Sequence, residues 1–150
     1  MADLSETNYR HDRHTVSMMT DHMVFCPKYR GRVLVGEVRD YTERAIREIC
    51  REIDIDIIKM AVNSEHVHMF YRYPPKYSVS HIAKIIKGRS SILLRERFPH
   101  LRAWCDEHLW AESCFHASVG IGWEVVEKYI STQMDYAVKE RVVALRNALD

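Results

Sequence analysis

The chain has 150 residues, 47% of them hydrophobic and 29% charged, with a formal net charge of +1. That length suits one compact domain over 1–150, and that balance excludes a disordered or fibrous chain. No apolar run approaches the ~20 residues of a membrane span, and the N-terminus MADLSETNYRHDRH lacks the apolar core of a signal peptide, so a cytoplasmic protein without membrane contact is expected.

Residues 1–13 are polar and without periodicity, and read as a loose arm. From His14 to Cys26, β-branched and apolar residues predict a strand that Pro27 ends. Lys28, Arg30 and Arg32 then form a basic cluster. Val38 to Ile53 is helical by its spacing, with Val38, Tyr41, Ala45, Ile46, Ile49, Cys50 and Ile53 on one face. Ile55 to Asn63 suits a second strand. His66 to Tyr73 alternates strictly, with His66, His68, Phe70 and Arg72 on one side and Val67, Met69, Tyr71 and Tyr73 on the other. Only Ser64 and Glu65 separate these two runs, so a tight antiparallel hairpin is predicted.

Ser78 is placed to cap a second helix, whose buried stripe would be Val79, Ile82, Ala83, Ile86, Ser90, Leu93 and Leu94. Lys84, Lys87, Arg89, Arg95 and Arg97 make it basic. Residues 99–108 read as a loop. A strand from Leu109 to Val119, a Gly120-Ile121-Gly122 turn and a last helix over 123–149, with a break near Tyr136, complete the chain. The first six elements follow the β-α-β-β-α-β order of a ferredoxin-like α+β fold, an antiparallel sheet with helices on one face. The last helix is an addition to it.

Nine histidines direct attention to metal or acid–base chemistry, while the four cysteines have no C-x-x-C spacing and read as buried or half-buried thiols. In His66-Val67-His68 the imidazoles point the same way and can reach one ion. Spacing alone favours two histidines that meet by chance. Their placement on the helix-free face favours a site. Tyr129 and Gln133 lie one helical turn apart, as a possible nucleophile and cation ligand or as plain amphipathic contacts. Tyr136 is a competing hydroxyl near the same face.

Together, Lys28-Tyr29-Arg30, Glu65-His66-Val67-His68-Met69, Lys87-Gly88-Arg89-Ser90-Ser91, Leu109-Trp110 and the run from Val126 to Gln133 resemble the single-tyrosine HUH transposases of the smallest bacterial and archaeal insertion sequences. The resemblance covers about residues 20–136 in order and spacing. It implies His66, His68 and Gln133 as ligands of a divalent metal, Mg²⁺ with Mn²⁺ able to substitute, and Tyr129 as the nucleophile. It further implies a homodimer, a catalytic helix that swings about Gly120–Gly122, and transposition by cleaving and rejoining single-stranded DNA hairpins through a 5′-phosphotyrosine. Lys28, Arg30, Lys87 and Arg89 are then expected to contact phosphates, and Tyr29 or Tyr73 to stack on bases.

Two positions depart from the family pattern: Glu65 stands where Asp is usual, and Cys114 where an aromatic is common. Other readings are a domesticated relative acting on chromosomal palindromic repeats and a catalytically inactive single-strand-binding module. A histidine-triad nucleotide hydrolase is disfavoured, because Phe70 occupies the position of its next histidine.

Overall fold

The computed structural model describes residues 10–11, 16–17 and 19–118. The expected C-terminal helix, with Tyr129, Gln133, Tyr136 and the Gly120–Gly122 join, lies outside the described residues. So does the N-terminal arm, apart from Arg10–His11, which pairs antiparallel with Val16–Ser17 as a two-residue ribbon.

The main elements are β1 (Thr20–Pro27), α1 (Gly36–Glu52), β2 (Asp56–Asn63), β3 (His66–Arg72), α2 (Val79–Arg97), α3 (Pro99–Trp104) and β4 (Trp110–Ser118). The four strands form one antiparallel sheet in the order β2-β3-β1-β4. This is the expected α+β arrangement, and the β2–β3 hairpin turns at Ser64–Glu65 as its spacing required. β1 starts at Thr20 and not at His14, since Val16–Ser17 belong to the small ribbon.

Register decides which side chains share a face. Met23 stands opposite Met69, and Phe25 opposite Val67. These residues and Tyr71 are fully buried with Ile46 and Ile49 of α1 and Ile82, Ile86 and Leu94 of α2. Each such side chain contributes roughly 1.5–3 kcal/mol on burial, so this layer between sheet and helices is the main stabilising unit. On α1 the buried positions Val38, Thr42, Ala45, Ile46, Ile49 and Cys50 recur at helical spacing; Thr42 joins the predicted stripe, and Tyr41 and Ile53 are only partly buried. Ser78 caps α2, its side chain accepting from the His81 amide at 3.1 Å.

A short α-helix was also not expected. Residues 99–104 form the short helix α3 and not a loop, with Pro99 at its first position, where proline's fixed φ helps and its missing N–H costs nothing. No disulfide joins the cysteines: Cys50 and Cys105 are buried, and Cys26 and Cys114 half-buried. No described helix is long and apolar enough to cross a membrane.

Candidate functional site

Because Val67 and Met69 enter the core, the strand's period of two sends His66 and His68 to the sheet face away from α1 and α2. Both are buried there, 5% and 1% exposed. Asn63, paired with His66 across the hairpin, donates its amide Nδ2–H to His66 Nε2 at 2.7 Å. Burial, and then the neighbouring His22, His66 and Lys59, lower the pKa of His68 to about 3. A neutral imidazole keeps a lone pair for a metal, so the donor chemistry fits a divalent cation. Any metal at His66 Nε2 must displace the Asn63 amide.

His22 was missed in the sequence. It is 2% exposed, its ring centroid lies 5.9 Å from that of His68, and it stacks on Phe70 at 4.3 Å. Only the β1–β3 register, which pairs His22 with Phe70, brings it there, and no local spacing could reveal it. It does not complete a ligand set: among the described residues, no group of three or more His, Cys, Asp or Glu is gathered to hold a metal.

The basic residues divide between two places. Lys28 and Lys87 line a groove of about 920 Å³ between α2 and β4, which Lys84, Arg95, His108 and His116 also line. Lys87 Nζ donates to the carbonyls of Ala111 at 2.7 Å and Glu112 at 3.2 Å, and burial lowers its pKa. Arg30 and Arg89 do not line that groove. Arg30 lies 3.5 Å from Glu65, the residue before His66, and Arg89 pairs with Glu52 of α1.

Of the two stacking candidates, Tyr29 is 76% exposed and Tyr73 is buried, which removes Tyr73 from any surface role. Tyr29 and Arg30 both take left-handed backbone, with φ of 56° and 54°. Such residues cost roughly 1–2 kcal/mol each and need support. Trp104 meets Tyr29 edge-on, ring centroids 5.9 Å apart, and closes over Gly31, where an added Cβ would lie 2.6 Å from the indole.

The motif residues after Lys87 brace this groove. Ser90 Oγ accepts from the Trp110 indole N–H at 2.9 Å, and Ser91 Oγ from the Leu109 amide at 3.0 Å, tying α2 to the start of β4. Behind β4, buried Asp21 accepts from Tyr71 at 2.7 Å and from His116 Nδ1 at 3.0 Å. Burial opposes charge on His116, but its hydrogen bonds to Asp21 and Cys114 and their charges outweigh that and raise its pKa to about 9.

Comparison with known proteins agrees with this architecture. The family described as IS200-like transposases matches residues 15–133. The IS200 transposase of Salmonella typhimurium is 31% identical over 115 residues, 76% of each chain. The ISDra2 transposase TnpA of Deinococcus radiodurans is 31% identical over 120 residues, 76% of this chain and 83% of its own. A Deinococcus radiodurans crystal structure described as a transposase superposes with a TM-score of 0.69 at 25% identity, covering 83% of this chain and 97% of that one. A REP-associated tyrosine transposase bound to a REP hairpin shares the fold, with a TM-score of 0.52 at 15% identity, over 85% of this chain and 74% of its own. The chain belongs to the IS200-like transposase family.

Proposed function

We propose that this chain transposes DNA by cleaving and rejoining single strands at insertion-sequence ends, with Tyr129 as nucleophile and His66, His68 and Gln133 around a divalent metal. The observation that carries this reading is the buried His66–His68 pair on the sheet face away from the helices, with His68 held neutral by burial. Two imidazoles leave a coordination sphere unfinished, and Gln133 is the proposed third protein ligand. His66, His68 and Gln133 would hold Mg²⁺ or Mn²⁺, which would supply charge neutralisation at the scissile phosphate.

Tyr129 Oη attacks the phosphorus and gives up its proton to solvent. The bond to the 3′-oxygen breaks, that oxygen takes up a proton, and a 5′-phosphotyrosine and a free 3′-hydroxyl remain. The ester keeps the phosphodiester's energy, so a second 3′-hydroxyl reverses the step and joins new ends without ATP. Two chains act as a dimer. Substrate is held as a hairpin, its backbone against Lys28 and Lys87 and an unpaired base against Tyr29. The REP-hairpin complex of the same fold supports the hairpin form.

The test is a labelled single-stranded hairpin, taken from the DNA flanking the coding gene, incubated with the full chain. A covalent protein–DNA adduct with Mg²⁺ or Mn²⁺, lost with EDTA and with His68→Ala, is expected. Binding without an adduct would instead support a binding module.

A further inference from the structure

We infer that Gly88 marks the point where the sugar-phosphate backbone of the bound DNA presses against α2. This rests on the proposed DNA-cleaving function and adds to it the seat of the strand. Gly88 stands in the interior of the 19-residue helix α2, where glycine is the least favourable residue after proline. Packing among the described residues does not require it. A Cβ built at Gly88 meets nothing within 4 Å among the described residues, and its φ is not in the left-handed region. The described fold therefore gains nothing from the missing side chain, and the remaining physical reason for a glycine is close approach by something outside the described residues.

The surroundings indicate what approaches. Gly88 lines the groove between α2 and β4, at i+4 from Lys84, next in sequence to Lys87 and seven residues before Arg95, and Lys28 lines the same groove. Glu107 and Glu112 are the acidic residues of the lining, against Lys28, Lys84, Lys87, Arg95 and the charged His116. Lys84 to Arg95 spans roughly 16 Å of helix axis, the rise of about five nucleotides of one DNA strand. A polyanion lying along this row meets cations at both ends and bare helix backbone at its centre.

Gly88→Ala and Gly88→Leu in the full chain separate fold from binding, since both residues are strong helix formers entering open space. The probe is a fluorescein-labelled hairpin from the DNA flanking the gene, read by anisotropy beside thermal unfolding of the same proteins. The expected result is a melting temperature about 2–4 °C higher for Gly88→Ala, with hairpin affinity reduced about tenfold, and a greater loss for Gly88→Leu. Wild-type affinity in both variants would overturn the inference and leave the DNA reading standing. A lower melting temperature together with weaker binding would show that the glycine serves the fold, and would also overturn it. Absence of hairpin binding by the wild type would remove the DNA reading and the inference with it.

Discussion

Glu65 Oε2 lies 3.5 Å from Nε of Arg30, one residue before His66, with both side chains largely buried. Arg32 approaches the same oxygen at 3.7 Å, but its side chain is 79% exposed and adds little. The pair fastens the left-handed Tyr29–Arg30 turn to the start of the histidine strand. Removing the carboxylate leaves a partly buried guanidinium without it. Glu65→Ala is expected to cost about 2–4 kcal/mol in urea unfolding. Glu65→Asp keeps the charge one methylene shorter and is expected to cost less. Equal stability of wild type and Glu65→Ala would show that the turn is held by other contacts.

Tyr29 carries the strain of that turn while exposing 76% of its surface, which sets stability against function. Asparagine tolerates left-handed backbone better than tyrosine. Tyr29→Asn is therefore expected to hold or raise the melting temperature. Base stacking is worth roughly 1–3 kcal/mol, so affinity for single-stranded DNA should fall on the order of 5- to 150-fold. A variant that binds as well as the wild type would leave Tyr29 without a role in stacking.

His116 gives the protein a pH dependence of definite sign. Its folded pKa, about 9, lies above its ordinary value of 6.5, so its contribution is fully present below pH 6.5 and is lost as pH rises through 9. With the ring 30% exposed, that contribution is on the order of 2 kcal/mol. The wild type should lose stability relative to His116→Gln between pH 6.5 and 9.5, read as the difference between their melting curves. Parallel profiles would mean that His116 is not charged against Asp21.

Local pattern made much of this molecule legible. Strict alternation placed His66 and His68 on one face and Val67 and Met69 in the core, and Ser64–Glu65 set the hairpin. Helix α3 was missed because six residues are too few for periodicity, although Pro99 followed by apolar Leu101 was a start signal. His22 and Asp21 were invisible for another reason: their neighbours come from β3 and β4, and only sheet register supplies them. Ser90 was correctly placed in the buried stripe, but nothing local shows that its hydroxyl receives the Trp110 indole twenty residues on. Lys87 and Arg89 lie two residues apart in one basic run, and only the packing of α2 shows that Lys87 lines the groove while Arg89 pairs with Glu52 of α1.

The most direct test of the central claim is the site of covalent attachment. The full chain is incubated with the labelled hairpin and Mg²⁺, digested, and the DNA-linked peptide sequenced by mass spectrometry, beside Tyr129→Phe and Tyr136→Phe. The account predicts a phosphotyrosyl linkage on Tyr129, no adduct with Tyr129→Phe, and an adduct retained with Tyr136→Phe. Attachment at Tyr136, or an adduct that survives Tyr129→Phe, would contradict it.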